Sequence, residues 1–156
     1  MKIALLVVGK KHDKNLLDAI NDYQRRAAHY MPIEWIFIQA KHAASTTRND
    51  IRKLESQKIV SQLQQNSWVC LLDEGGIAIS TPQLAQKIEW CKNNSLQTIV
   101  FIIGGAYGVD ESVIKRADFI WSLSPLVFPH QLVRLILIEQ LYRAHTILAG
   151  EKYHHQ

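Results

Sequence analysis

The chain is 156 residues long, 47% apolar and 21% charged, with a formal net charge of +4. That is the size and composition of a single globular domain over residues 1–156, built around one compact core. It excludes a membrane span as a reading, because the longest apolar run, Leu135 to Ile138 with its neighbours, is cut by Arg134 and Glu139 well short of the roughly 20 residues a crossing needs.

Ile3 to Val8 is a continuous apolar run ending at Gly9. A secretory leader would end in a small-residue cleavage site, whereas this run turns charged at Lys10-Lys11 and reads as a first buried strand. Leu16, Ile20, Tyr23 and Ala27 then recur at helical spacing up to Met31-Pro32. Glu34 to Ile38 predicts a second strand, and a polar loop over 41–48 leads to a helix with Ile51, Leu54 and Leu63 on one face. Trp68 to Leu72 predicts a third buried strand, followed by the loop Asp73-Glu74-Gly75-Gly76. In Ser80-Thr81-Pro82, Thr81 suits an N-cap and Pro82 the first helical turn, with Leu84, Ile88 and Cys91 following on one face. Thr98 to Ile103 is a β-branched fourth strand; a short helix over about 110–117 and a fifth strand, Phe119 to Ser122, complete the alternation. Cys70 and Cys91 have no metal-ligand spacing around them and read as buried free thiols of a reducing cytosol, which predicts a cytoplasmic protein.

Continuous apolar strands alternating with helices predict an α/β fold, a mostly parallel sheet with helices on both faces. The last helix, His130 to Leu148, is apolar nearly all round, with Leu132, Leu135, Ile136, Leu137, Leu141 and Tyr142 exceeding one stripe. One face can cover the sheet while the other has no second domain to meet, so a symmetric homodimer is the economical expectation. Charge is uneven as well: Met1 to Lys58 holds eleven Lys/Arg against six Asp/Glu, and the remainder seven against eight. Lys10, Lys11, Lys14, Arg25, Arg26, Lys41, Arg48, Arg52 and Lys53 could form a phosphate-attracting face, or simply a solvated surface.

An open parallel sheet binds ligands beyond the carboxyl ends of its strands, where three loops qualify. They are Leu72 to Gly76, Gly104 to Gly108, and Ser122 to Pro129. Paired glycines after a buried strand let backbone amides approach a ligand closely. The spacing is neither a dinucleotide fingerprint nor a P-loop, and the third loop is mainly apolar. Such a pocket fits an adenosine that carries no phosphates.

Four motifs in order then carry a more specific signal. Gly104-Gly105 with Gly108, Trp121 to Leu126 with Pro129 to Arg134, Glu139 to Ala144, and the terminal Tyr153-His154 closely resemble the SPOUT-class methyltransferases that methylate N3 of a pseudouridine in large-subunit ribosomal RNA. The resemblance spans the whole chain and implies a C-terminal trefoil knot, S-adenosylmethionine as methyl donor, no metal, a homodimer and the ribosomal large subunit as partner. It places the donor against Leu72, Gly105, Leu123, Ser124, Pro125, Leu126, Val127 and Phe128. Where many relatives carry an Arg or Lys after the Tyr-His pair, this chain has His155-Gln156.

Methyl transfer to an imide nitrogen requires alignment of donor and nucleophile and removal of the N3 proton. The candidates are His154 as proton acceptor or relay, Tyr153 as a stacking and orienting group, Arg143 as a partner for uracil oxygens or phosphate, and Glu139 beside it. The alternatives are a non-catalytic RNA-binding dimer in ribosome assembly, or a knotted methyltransferase acting on tRNA.

Overall fold

The computed structural model describes residues 1–155; Gln156, the last residue of the tail, lies outside the described residues. Strands β1 (Lys2–Val8), β2 (Ile33–Ile38), β3 (Ser67–Ala78), β4 (Thr98–Ile103) and β5 (Phe119–Ser122) form a five-stranded sheet in the order β2-β1-β4-β3-β5. Every neighbouring pair is parallel. Parallel neighbours need crossover connections, which α1 (Lys14–Ala28), α2 (Arg48–Gln62), α3 (Thr81–Asn93) and α4 (Glu111–Arg116) supply. Helix α5 (His130–Leu148) follows β5.

Period-two alternation along the strands sorts the core into two layers. Ile3, Leu5 and Val7 of β1, with Ile99 and Phe101 of β4, pack in one cluster with Ile20 of α1, Leu84 and Ile88 of α3, and Leu137 and Leu141 of α5. Ala4, Leu6, Val100 and Ile102 join the other cluster, with Ile59 of α2 and Val113 of α4. Helices therefore cover both faces, and burial on both sides is why the strands read as unbroken apolar runs. Each fully buried aliphatic side chain contributes about 1.5–3 kcal/mol. Cys70 and Cys91 are buried and free, and burial raises both thiols, Cys91 to about 11. No helix among the described residues is long and apolar enough to cross a membrane.

Two local expectations are corrected. Strand β3 does not end at Leu72 but runs on through Asp73 to Gly76, with a register shift against β5 between Leu72 and Ile77. Acidic residues and paired glycines read as a loop, yet Gly76 is what lets the strand continue. A Cβ there would stand 2.6 Å from the Ile120 carbonyl oxygen, so only glycine allows so close a backbone approach. The cap of α3 is Ser80 rather than Thr81. Its hydroxyl accepts from the Gln83 amide at 3.3 Å while the Gln83 side chain accepts from the Ser80 amide at 2.8 Å, a reciprocal capping box. Thr81 instead donates its hydroxyl to Gln140 Oε1 at 2.7 Å, tying α3 to α5.

Helix α5 packs against α1 and α3. Its inner side holds Arg134, Leu137, Ile138, Leu141, Ala144 and His145. Leu132, Leu135, Ile136, Glu139, Tyr142 and Arg143 recur at three- and four-residue steps and remain only half-buried. Arg134 pins the start of α5 to the loop after β1, donating from Nη1 to the Lys10 carbonyl at 2.9 Å and lying 5.7 Å from the centroid of Phe37.

Candidate active site

At the carboxyl ends of β3, β4 and β5 a cleft of about 310 Å³ opens. Leu72, Gly105, Leu123, Ser124, Leu126, Val127 and Phe128, seven of the eight residues expected to hold the donor, line it. Pro125 does not; it lies between Ser124 and Leu126, where the Ser124 hydroxyl accepts from the Leu126 amide at 3.0 Å. The apolar rim stands open: Leu126 is 68% and Val127 77% exposed, the kind of surface that a ligand's apolar face would cover.

The charge of the lining limits what can bind. It contains Asp73 and Glu74 but no Lys or Arg, so a phosphorylated nucleotide would meet no cation while a cationic ligand would meet two carboxylates. The lining also includes Trp121, whose indole Nε1 is buried without an acceptor among the described residues. A buried donor without a partner costs about 1–3 kcal/mol, which a ligand acceptor would offset. Trp121 and His130, from β5 and the first turn of α5, were not assigned to the site from sequence. An aromatic at the end of an apolar strand reads as core; its unpartnered nitrogen is visible only in three dimensions.

The glycine loop is shaped from below. Gly105 and Gly108 close a tight turn, Gly108 donating its amide to the Gly105 carbonyl at 3.0 Å with φ +72°. A Cβ on Gly105 would strike the Glu55 carboxylate of α2 and stand 3.0 Å from Val8 Cγ1 of β1. Glycine at 105 thus makes room for α2 on the side away from the cleft, rather than only for a ligand within it.

The four residues expected to act on the substrate form a second group. Arg143 donates to Glu139 Oε1 from Nε at 2.9 Å and Nη2 at 2.6 Å, a partly buried pair, and the Tyr153 hydroxyl donates to the same oxygen at 3.3 Å. The guanidinium lies 4.7 Å from the Tyr153 ring centroid. Burial, with a hydrogen bond to Tyr23 and the Glu139 charge, pushes the Tyr153 phenol up to about 12. Both ring nitrogens of the neighbouring His154 are buried without a partner among the described residues. None of these residues lines the cleft. The cleft meets α5 at His130 and Val133; Glu139 lies about 9 Å and Arg143 about 15 Å further along the axis, at a rise of about 1.5 Å per residue.

Of the basic residues, Arg25 and Arg26 both pair with Asp22, at 2.6 and 3.0 Å. Arg48 on α2 lies 5.6 Å from the ring centroid of Tyr107 in the glycine loop, while Arg52 donates from Nη2 to Asn49 Oδ1 at 2.6 Å. Arg48 therefore borders the candidate site.

Comparison with known proteins bears on this geometry. The family model described as "Predicted SPOUT methyltransferase" matches residues 1–154. Curated relatives named "Ribosomal RNA large subunit methyltransferase H" include one from Acetivibrio thermocellus, 38% identical with 99% of each chain covered, and one from Geobacter metallireducens, 40% identical with 99% of each covered. Another from Christiangramia forsetii is 41% identical with 100% of each covered. Among solved structures, a probable methyltransferase from Bordetella pertussis superposes with a TM-score of 0.56 at 9% identity, covering 92% of this chain and 96% of that one. A probable methylase family protein from Haemophilus influenzae gives 0.55 at 10% identity, covering 99% of this chain and 70% of that one. At such identities the structural likeness speaks for the fold alone. Matched along nearly its whole length, the chain belongs to the SPOUT methyltransferases, and that membership implies the trefoil knot of its C-terminal segments.

Proposed function

We propose that this protein transfers a methyl group from S-adenosylmethionine to N3 of a pseudouridine in the large-subunit ribosomal RNA, acting as a homodimer in the cytoplasm. The observation that carries the donor assignment is the cleft itself: two carboxylates, no Lys or Arg, an apolar rim and an unpartnered buried indole N–H. These suit a cationic adenosine without phosphates. When bound, the donor supplies a methyl group already activated on a sulfonium. Leu72, Gly105 and the segment Leu123 to Phe128 hold and orient it, and Trp121 Nε1 donates to one of its acceptors. The RNA assignment is supported by the name shared by full-length relatives and by Arg48 beside the glycine loop, one helical turn from Arg52 on α2.

The distance along α5 supports the dimer. Glu139 and Arg143 lie well along α5 from the cleft's Val133, Tyr153 packs on that pair, and none of Glu139, Arg143, Tyr153 and His154 lines its own subunit's cleft. The half-buried face of α5 runs from Leu132 through Ile136 to the Glu139–Arg143 pair, so a second copy docked there would cover apolar surface and bring its own pair to this cleft. In that arrangement Arg143 meets uracil oxygens or phosphate, with Glu139 fixing its guanidinium. Tyr153 orients the base through its ring, and His154 offers its ring nitrogens to the base or relays a proton.

Mass mapping of large-subunit ribosomal RNA from cells with and without the gene tests this reading. A single pseudouridine one methyl group lighter in the deletion strain is expected. An unchanged large-subunit RNA with a methyl group missing from tRNA would overturn it.

A further inference from the structure

A second groove, of about 570 Å³, lies between α3 and the edge of the sheet at which β5 is the end strand. It shares no lining residue with the donor cleft. Its floor lies toward the amino ends of the strands, where Trp68 is the second residue of β3 and Phe119 the first of β5. These two rings are nearly parallel, 16° apart, with centroids at 6.2 Å. Trp90 of α3 stands beside them, 53% exposed, with Gln86 and Gln83 one and two turns earlier on the same helix. Lys87 holds its ammonium 4.0 Å from the Phe119 ring centroid and 6.0 Å from that of Trp68. It pairs with no carboxylate among the described residues.

The chemistry of this lining selects one class of occupant. A large exposed tryptophan beside an apolar floor is surface that a partner would cover. One cation and no acidic residue in the lining favour an anion and repel a cationic ligand. An unpaired nucleotide has the matching parts: a flat base to lie on a ring, polar edges to meet side-chain amides, and a phosphate to meet the ammonium. An apolar peptide or a lipid tail would use the rings and leave the cation unanswered.

We propose that this groove is a second RNA-binding site, which takes an unpaired nucleotide of the substrate other than the target, its base stacked on Trp90 and its phosphate against Lys87. This rests on the functional reading above and deepens it. The donor cleft holds no Lys or Arg, so the grip on RNA has to come from surfaces outside it, of which Arg48 beside the glycine loop is one and this groove another. Phe119 of the groove and Trp121 of the cleft lie two residues apart on β5, a rise of about 7 Å, so one RNA molecule can occupy both sites.

The test measures methylation of large ribosomal subunits over a range of subunit concentration, with donor affinity followed by calorimetry and folding by thermal melts. Trp90→Leu and Lys87→Gln should each raise the half-saturating subunit concentration about tenfold, while kcat and donor affinity stay within about twofold. Trp90→Phe, which keeps a stacking face, should remain within about threefold of wild type, and Lys87→Gln should lower the salt slope by about one unit. Binding of fluorescein-labelled hexauridylate, read by anisotropy at low salt, should rank the variants in the same order. Half-saturation unchanged in Trp90→Leu and Lys87→Gln overturns the proposal. So does Trp90→Leu matching Trp90→Phe, which makes the contact merely apolar, and so does a defect on subunits with none on hexauridylate, which gives the groove to a ribosomal protein. Wild type that methylates no ribosomal RNA would instead overturn the functional reading, and the hexauridylate ranking would still decide the groove.

Discussion

The cleft at the ends of β3, β4 and β5 and the cluster on α5 and the tail are built by opposite means. The cleft is mostly backbone turns and apolar side chains, its polar side chains being Asp73, Glu74, Ser124, His130 and the indole of Trp121, whose N–H has no partner among the described residues. The cluster is side-chain chemistry: a bidentate Arg143–Glu139 pair with Tyr153 stacked on the guanidinium. A site made of backbone holds one ligand in one pose, whereas a site made of long polar side chains can engage a base and act near the transition state. The first suits donor binding and the second suits the acceptor.

If the two regions divide labour in this way, substitutions should separate cleanly. The largest expected effect is in the tail: Tyr153→Ala and His154→Ala should each lower kcat by about 100-fold while leaving donor affinity within about twofold. A rise in the half-saturating RNA concentration with kcat intact would make the cluster a gripping surface only. Next, Trp121→Phe keeps the ring's packing but removes the indole N–H, and should weaken donor binding about tenfold by calorimetry while leaving RNA affinity unchanged. Unchanged donor affinity would move the donor away from β5.

A smaller effect tests whether the basic surface belongs to either region. Replacing Arg48 and Arg52 together by Gln should weaken RNA binding and flatten its salt dependence by about one unit of slope per lost phosphate contact, with donor binding unaffected. The smallest effect lies in the scaffold beneath both. Burial, and then the Arg134 charge, lowers His12 to about 4 from its ordinary 6.5. The folded state therefore binds this proton less readily than the unfolded state, so the His12 contribution to stability is full above pH 6.5 and is lost as pH falls toward 4. Thermal melts should show that loss, and His12→Gln should reduce it without altering donor affinity.

The elements were readable from sequence because a sheet buried on both faces writes unbroken apolar runs such as Ile3 to Val8 and Thr98 to Ile103. The end of β3 was not, because Asp73 to Gly76 carries every residue type that marks a loop, and only the contact of Gly76 with the Ile120 carbonyl explains the continued strand. Ser80 and Thr81 are both competent caps, and the choice was made by Gln140 on a helix far away in sequence, which takes the Thr81 hydroxyl. Most donor-cleft residues followed from the loops' order after the strands, supplemented by the family resemblance. What pattern could not convey was separation: Glu139 and Arg143 share a helix with the cleft's His130 and Val133, yet the rise of that helix carries them away from it.

That separation makes the central claim testable by mixing. A variant defective in the cleft, Gly105→Val, and one defective in the tail, His154→Ala, should each be inactive alone. In Gly105→Val the added side chain would strike the Glu55 carboxylate and Val8 and so displace the glycine loop that lines the cleft. Refolded together, the two variants should regain methyl transfer, because a mixed dimer pairs the intact cleft of one subunit with the intact tail of the other. Two folded dimeric variants that exchange subunits yet stay inactive in the mixture would contradict the account, by showing that cleft and tail must come from the same chain.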